Sequence, residues 1–374
     1  MILLKTDNKK GLKCLLLQQS IEAGVAETEI LEGMIMKKAR ATLVLFVIVV
    51  VFIAIGCKRK EESEGKYRIA VIPKGTTHVF WKSIHAGAVK AERELKDSGL
   101  DVEVIWKGPL KEDDRESQIR IVEDFITRRV SGIVLAPLDD AALRIPVRDA
   151  VNNGIPVVII DSGLKSQDFA SFVATDNYIG GRKGGERLAE ILSGKGRVVM
   201  LRCHEGSASS TQREQGFLDV LQEKYPEIKV VSSNQYGGAT TESAYIASEN
   251  LLAPLRKPDG GLTIDGIFCP NESTTFGMLR ALEDSGLAGQ VAYVGFDSSD
   301  RLVQALRKGH IKGLVLQDPI NMGYVGVETI VAHLRGQKVE KRIDTGSVVA
   351  TPENMDDPTV RKLLEPDFKQ WLNE

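Results

Sequence analysis

Side chains suited to binding a polar ligand stand directly after the apolar runs that we predict as strands. Lys74, Phe80 and Trp81 follow the first run, and Asp161 follows the fourth. Aromatic faces stack on the C–H surfaces of a sugar, while carboxylates, amides and guanidinium groups hydrogen-bond its hydroxyls with fixed geometry. This mixture of residue types predicts a site for a sugar or another small polyol. The other members of the pattern are Thr175, Arg213, Asn271, Phe296, Asp297 and Gln317.

These residues also have structural alternatives. Phe80 or Trp81 could belong to the core, because both begin a predicted helix. Asp161 and Asp297 could cap the loops after their strands. We favour ligand binding for at least one aromatic and for both aspartates, since ligands of open α/β sheets bind beyond the carboxyl ends of the strands. His78, in the first of these loops, is interpreted as a turn residue.

Apolar runs of strand length alternate with helical patterns from residue 68 onward. The runs are rich in valine and isoleucine without polar alternation, which is typical of strands buried on both faces of a parallel sheet. Strand–helix alternation of this kind predicts a doubly wound α/β fold. The predicted strands are Arg68–Pro73, Val102–Trp106, Gly132–Ala136, Pro156–Asp161, Ser171–Thr175, Arg197–Cys203, Lys229–Ser232, Ile264–Cys269, Val291–Gly295 and Ile311–Leu316.

The number of predicted strands favours two lobes over one sheet. Past residue 66 about 300 residues remain, enough for one large domain or two ordinary ones. A break near Thr175 divides the strands into two sets of about five. The carboxyl ends of the two sets would then line one shared cleft.

The order of these elements resembles the periplasmic binding proteins of the ribose-binding type, from Tyr67 to about Val349. Gly-Phe-Asp at 295–297 and Thr-Asp-Asn at 175–177 stand at that family's spacing relative to their strands. The resemblance implies a type I periplasmic binding protein, with two Rossmann-like lobes of parallel sheets joined by a three-segment hinge. It also implies capture of a sugar or related molecule for an ABC importer, without a cofactor.

The resemblance further implies boundaries and site residues. The first lobe would comprise 67–175 and 318–346, and the second 176–317 and 347–374. Hinge strands would pass near Thr175–Asp176, Gln317–Asp318 and Gly346–Ser347. The implied cleft residues are Phe80, Trp81, Asp161, Thr175, Arg213, Asn271, Phe296, Asp297 and Gln317.

Several positions depart from the pattern of the aldose-binding members. The chain has Lys74 where a small polar residue is usual, Ala136 where asparagine is usual, and Ser162 where arginine is usual. These departures predict a modified, short or partly anionic polyol, with Lys74 pairing an anionic or strongly polar group. Lys74, Asp161 and Pro270 are similar to positions of the autoinducer-2-binding branch, whereas Thr211 and Glu272 do not follow that branch.

A secretory signal is predicted ahead of the folded part. Three basic residues within 37–40 precede an apolar run of 14 residues at 43–56. A spanning helix needs about 20 apolar residues, so the run is short for a membrane crossing. The segment that ends at Cys57 resembles a bacterial lipobox, which implies a lipidated Cys57 and a protein anchored in the periplasm or at the cell surface. A short membrane anchor is the alternative.

This interpretation divides the N-terminal part into three segments. Residues 36–57 form the lipoprotein signal peptide, and 58–66 form a charged tether with almost nothing apolar. Residues 1–35 are interpreted as a non-native upstream extension, because a secretory signal normally stands at the N-terminus.

Composition and motif searches limit the remaining function classes. Hydrophobic content of 43% and charged content of 27% are ordinary for a globular protein, and a net charge of −2 predicts no nucleic-acid partner. The sequence shows no metal spacing, nucleophile elbow, P-loop or linked Ser/His/Asp set, so we predict neither an enzyme nor a metal site. We expect a monomer that binds a small polar ligand, an ABC permease and, through its lipid, a membrane. For Cys203 and Cys269, two buried thiols are favoured over a disulfide.

Three other functions are weighed against the importer receptor. A sensory receptor would present the same closed form to a chemoreceptor or histidine kinase, and only neighbouring genes would separate the two. An enzyme on the same scaffold lacks a recognisable catalytic set. A transcriptional regulator shares the fold, but the secretory signal and the absence of a helix-turn-helix segment before Tyr67 argue against it.

Overall fold

The computed structural model describes residues 65–372, which form two six-stranded sheets flanked by helices. The strands are β1 (Tyr67–Ile72), β2 (Val102–Trp106), β3 (Gly132–Leu135), β4 (Val157–Ile160), β5 (Ser171–Ala174), β6 (Lys195–Arg202), β7 (Glu227–Tyr236), β8 (Gly266–Phe268), β9 (Ala292–Phe296), β10 (Gly313–Gln317), β11 (Arg342–Asp344) and β12 (Ser347–Ala350). The helices are α1 (Val79–Asp97), α2 (Arg115–Thr127), α3 (Arg144–Asn152), α4 (Asn177–Ile191), α5 (Ala208–Lys224), α6 (Thr241–Leu252), α7 (Glu272–Asp284), α8 (Asp300–Arg307), α9 (Pro319–Leu334), α10 (Pro358–Leu364) and α11 (Lys369–Leu372), with a 3₁₀ turn at Ala253–Leu255.

The two sheets repeat one strand order. The first runs β11-β5-β4-β3-β1-β2 and the second β12-β10-β9-β8-β6-β7. Neighbouring strands are parallel throughout the first sheet, and in the second only β12 runs antiparallel to its neighbour β10. The predicted doubly wound α/β fold of two lobes is therefore confirmed.

Each sheet is covered on both faces, which explains the unbroken apolar runs. In β1, Ile69 and Val71 pack into the core on one face, while Ala70 and Ile72 pack into the core on the other. All four side chains are fully buried. Complete burial stabilises a large aliphatic side chain by about 1.5–3 kcal/mol, so a polar residue at any of these positions would oppose the fold.

The chain crosses between the sheets three times, at residues 175–176, at 318 and at 345–346. Thr175 donates a hydrogen bond to the Gly346 carbonyl at 3.0 Å, and Asp344 accepts from the amides of Asp176 and Gly346 at 3.0 and 2.9 Å. Gly346 has φ of 75°, a left-handed backbone that glycine adopts without strain. These bonds bind two crossings into one unit. That the protein hinges there stays a prediction.

Two short strands were missed. They are β11 and β12. β11 has three residues with alternating exposure, so no apolar run marks it. Cys203 and Cys269 are buried free thiols rather than a disulfide, and burial raises the pKa of each to about 12.

The predicted N-terminal segments cannot be compared with the structure. The upstream extension, the signal peptide, Cys57 and nearly all of the tether lie within residues 1–64, outside the described part. Within residues 65–372, none of the helices joins the length and the apolar composition that a bilayer crossing requires.

Candidate functional site

A small cavity lies where the carboxyl ends of the two sheets face each other. Its volume is about 30 Å³, roughly the space of one water molecule. Residues from both lobes therefore nearly fill the cleft. The cavity is lined by Lys74, Phe80, Trp81, Glu112, Asp161, Cys203, His204, Ser207, Ser209, Ser210, Arg213, Asn271, Glu272, Asp297 and Gln317.

Lys74 links the two sides of the cavity. It follows β1, and its Nζ lies 2.8 Å from Oδ2 of Asp161, which follows β4. Both side chains are 4% exposed. Lys74 also donates hydrogen bonds across the cleft to Ser209 at 3.1 Å and Ser207 at 3.4 Å, beside the start of α5. The charge of Lys74 is thus already paired within the protein.

Arg213, on α5, makes its shortest hydrogen bonds with neutral groups, and its contacts with charged groups are longer. Its Nε donates to Asn177 Oδ1 at 2.8 Å, and its Nη1 donates to the Pro270 carbonyl at 3.0 Å. Its guanidinium lies 4.0 Å from the centre of the Phe296 ring, a cation–π contact. Carboxylate oxygens of Asp161 and Asp297 lie farther off, at 4.0 and 3.9 Å. The guanidinium is therefore fixed in position between two aspartates.

Asp297 is held by donors from its own lobe. Its carboxylate accepts from Gln317 Nε2 at 2.7 Å and from the Glu272 amide at 3.1 Å. Burial raises the pKa of Asp297 to about 6, although the nearby Arg213 lowers it. Asp161 and Asp297 have φ of 60° and 65°, a region that residues other than glycine adopt rarely and that clusters at functional sites.

Two glutamates that line the cavity, Glu112 and Glu272, are paired with His78. His78, from the first lobe, has Nε2 3.8 Å from Glu112 and Nδ1 3.6 Å from Glu272 of the second lobe. Burial disfavours protonated His78, but its bond to Glu272 and the charges of both glutamates raise its pKa to about 9. Glu272 also accepts from the Phe80 amide at 3.3 Å, and Glu112 accepts from Trp81 Nε1 at 2.6 Å.

Most of the predicted site residues come together at the cavity. Phe296 does not line it, because this residue ends β9 with its ring buried under Arg213. Thr175 also lies elsewhere, bonded to Gly346 at the crossings. The predicted residues that do line the cavity are Lys74, Phe80, Trp81, Asp161, Arg213, Asn271, Asp297 and Gln317. Their role in binding stays a prediction.

Other residues of the site were missed. His78 lies in the loop before α1 and outside the cavity lining, in keeping with a turn residue, and it also pairs with glutamates from both lobes. Glu112 lies in the loop before α2, where no apolar pattern leads to the cleft. Glu272 follows β8 with Pro270 and Asn271, so its place after a strand was a usable signal. The missed lining residues are Glu112, Cys203, His204, Ser207, Ser209, Ser210 and Glu272.

Two buried oxygens at the cavity lack a hydrogen-bond donor. They are Oδ2 of Asp161 and Oε1 of Gln317, on residues each 3% exposed. Oδ2 of Asp161 has the ion pair with Lys74, but that contact lacks hydrogen-bond geometry. A buried acceptor left unpaired costs about 1–3 kcal/mol, so a ligand that supplies donors would recover this free energy.

The described residues show no arrangement for metal binding. Within 65–372, no group of three or more His, Cys, Asp and Glu side chains is placed to hold an ion.

Comparison with known proteins gives a consistent family. Residues 69–338 match the family described as periplasmic binding protein domain. A D-ribose/D-allose-binding protein from Pseudomonas aeruginosa is 31% identical over 297 residues, 78% of this chain and 89% of that protein. A solved carbohydrate transporter solute binding protein from Agrobacterium radiobacter, in complex with D-arabinose, is 35% identical with a TM-score of 0.74, covering 80% of this chain and 99% of that one.

A second solved structure agrees. An ABC transporter solute binding protein from Agrobacterium vitis, with bound D-fucose, is 32% identical with a TM-score of 0.73, covering 79% of this chain and 99% of that one. These relatives are binding proteins rather than enzymes, and so is this chain. The chain belongs to the ribose-type periplasmic binding proteins, the periplasmic sugar-binding components of ABC transporters.

Proposed function

We propose that this protein captures a small sugar or polyol in the cleft between its lobes and delivers it to an ABC importer. The cavity of about 30 Å³ is too small for a sugar ring, so binding requires the lobes to part and to close again around the ligand. The proposal rests on two buried oxygens that lack a hydrogen-bond donor, one on Asp161 and one on Gln317. They come from different lobes, and both residues line the same polar cavity. Sugar hydroxyls are donors of the required kind. The predicted contacts Phe80 and Trp81 supply apolar surface beside them.

The mechanism would be closure of the two lobes on the ligand. Lys74 of the first lobe bonds Ser209 of the second, and the Phe80 amide bonds Glu272. A ligand that touches both lobes stabilises the closed form by its differential affinity for that form. The closed form would then dock on the permease. A sensory partner would read the same closed form, but import is favoured because the solved relatives are named as transporter components.

An anionic or autoinducer-2-like ligand is the alternative that Lys74 suggested. The pairing of Lys74 with Asp161 at 2.8 Å weakens the argument for an anion, because that charge is already compensated. Thr211 and Glu272 also differ from the pattern of the autoinducer-2-binding branch. A polyol without negative charge therefore suits the charges of the cleft better.

The lipid anchor at Cys57 is a proposal from sequence. Basic residues, an apolar run and a cysteine follow one another within 36–57. Metabolic labelling with a palmitate analogue in a bacterial host should mark the wild type and leave Cys57→Ser unlabelled. Labelling of both proteins, or of neither, would contradict lipidation at Cys57.

Calorimetry and thermal shifts against a panel of aldoses and polyols test the binding function. A ligand at about 100 times its dissociation constant stabilises the folded state by about 2.7 kcal/mol, which is an easily measured shift. Arg213→Met should abolish the shift, because it removes the guanidinium between Asp161 and Asp297. Arg120→Met, at an exposed arginine of α2 outside the cavity, is the matched control. No binding by any member of the panel would overturn the proposal.

A further inference from the structure

The N-terminus of helix α1 takes its cap from the other lobe. The first amides of a helix have no partner within the helix, and an N-cap side chain usually accepts from one of them. Within residues 65–372, the N-cap residue of α1 is His78, and its side chain makes no such bond. The Phe80 amide donates instead to Oε2 of Glu272 at 3.3 Å. Closure of the lobes therefore completes a helix of the first lobe with a carboxylate of the second, a charge that the helix dipole also favours.

The other oxygen of Glu272 faces the same loop. Its Oε1 lies 3.6 Å from Nδ1 of His78, and the two side chains are only 12% and 15% exposed, so solvent screens the pair weakly. Burial disfavours the protonated ring, but the bond to Glu272 and the neighbouring carboxylates raise the pKa of His78 to about 9. His78 is therefore a cation at neutral pH, and both oxygens of Glu272 contact the first lobe.

The second glutamate beside His78 has a different role. Glu112 lies 3.8 Å from Nε2 of His78, but both residues belong to the first lobe, and burial raises the pKa of Glu112. Glu272 is held from its own side, because its amide donates to Asp297 at 3.1 Å. Parting of the lobes therefore breaks the contacts of His78 and Phe80 with Glu272 and leaves the contact with Glu112 in place.

Other charged groups face His78 from the elements around it. Asp297, after β9, adds a negative charge that also raises the pKa of His78. Lys111, before α2, and Asp300 and Arg301, on α8, line an outer groove together with His78. Asp297 has a pKa of about 6, so its own titration lies below that of His78.

We propose that Glu272 and His78 form a latch between the lobes, which slows release of the ligand and loosens as the pH rises. This inference rests on the proposed function and adds the residues that regulate its closed form. His78 lies outside the cavity lining, so its effect should be the same for every sugar that binds. Loss of a helix cap alone corresponds to about fivefold in an equilibrium constant, and loss of the ion pair adds to it.

The pH dependence of ligand release in the wild type tests the latch. Stopped-flow displacement from the full chain, with D-ribose, D-allose, D-arabinose and sorbitol as probes, measures the release rate. The stabilisation of the closed form by His78 is full below pH 6.5 and is lost as the pH rises through 9. Release should become at least tenfold faster across this window, while the association rate changes by less than about twofold. A constant release rate overturns the latch and leaves sugar binding intact, whereas no binding by any probe overturns both.

Paired variants assign the effect to the two residues. His78→Gln should speed release at pH 6.5 by about tenfold or more and remove its rise with pH. In a Glu272→Gln background, the same change should speed release by less than about twofold, because the contact is already lost. His310→Gln is the matched control, since His310 lies 3.2 Å from Glu283 within the second lobe, and it should keep the wild-type rates. An equal effect of His78→Gln in both backgrounds would place its action within the first lobe and overturn the latch.

Discussion

Asp161 and Asp297 occupy equivalent places in the two lobes but are held differently. Each follows the third strand in its sheet order, β4 or β9, and each backbone amide donates to the neighbouring strand, to the carbonyl of Val173 at 3.1 Å or of Val315 at 2.8 Å. Asp161 is held by Lys74, a long side chain that also reaches the second lobe. Asp297 is held by an amide side chain and a backbone amide of its own lobe. Each aspartate is therefore held within its own lobe, but the residue that holds Asp161 also contacts the second lobe.

The largest effect should come from removing the first of these aspartates. Asp161→Ala leaves Lys74 buried without its counter-charge, which typically costs about 3–5 kcal/mol. Asp297→Ala leaves the donors of Gln317 and Glu272 unpaired, at about 1–3 kcal/mol. Urea unfolding measures both losses. In a Lys74→Met background, Asp161→Ala should cost far less; equal costs in both backgrounds would contradict the pairing.

The sequence alone predicts that these aspartates lie at the ends of strands, but it does not predict which residues hold their side chains. Unbroken apolar runs such as Ile69–Ile72 predict buried strands, and residues after such strands meet at one edge of a sheet. Whether Phe296 faces the cavity depends on whether it still belongs to β9, and strand ends are uncertain by a residue or two. Glu112 reaches the cavity through a loop, and Ser209 reaches it because the two lobes meet there. Neither position depends on a local hydrophobic period, so the sequence pattern does not predict it.

The next prediction concerns the pH dependence of stability that Asp297, of the second lobe, should cause. The pKa of Asp297 is raised from 3.8 to about 6, so its contribution to stability is full below pH 3.8 and is lost as the pH rises through 6. At about 1.4 kcal/mol per unit, the loss is about 3 kcal/mol. Asp297→Asn should flatten the curve of unfolding free energy against pH in this window. An unchanged curve would contradict the raised pKa.

His78 should show its own window at higher pH. Its pKa is raised from 6.5 to about 9, so its stabilisation is full below pH 6.5 and is lost as the pH rises through 9. His78→Gln should remove this loss and leave the lower window of Asp297 in place. Urea unfolding between pH 6.5 and pH 9 measures this loss of stability. A wild type of constant stability there would contradict the contact with Glu112 and Glu272.

A smaller effect is expected where helices touch closely in each lobe. A Cβ at Gly181 on α4 would overlap the Arg213 carbonyl group, and a Cβ at Gly323 on α9 would overlap that of Ile84. Alanine is the better helix former by about 1 kcal/mol, but backbone atoms cannot move aside, so each variant should lose about 2 kcal/mol net. Urea unfolding should give similar losses, whereas ligand affinity should fall more in Gly181→Ala because that contact positions Arg213. Equal losses of affinity would contradict this role.

The smallest effect tests a link between the lobes that lies outside the cavity. Helix α10 packs into the core of the second lobe through Val360 and Leu364, yet α11 packs against α1 of the first lobe. There Arg93 donates to the carbonyls of Gln370 and Trp371 at 2.8 and 2.9 Å. This C-terminal segment is a connection between the lobes additional to the three crossings.

Arg93→Ala should lower the unfolding free energy by about 1 kcal/mol, the net worth of such hydrogen bonds. Arg68→Ala is the matched control, because Arg68 donates to two carbonyls, of Arg128 and Arg129, within the first lobe. Both variants should lose similar stability in urea unfolding. Of these two arginines, only Arg93 joins the lobes, so only Arg93→Ala should also change ligand affinity, by about fivefold for 1 kcal/mol. Equal affinities in the two variants would mean that the C-terminal segment follows the first lobe through closure and does not restrain it.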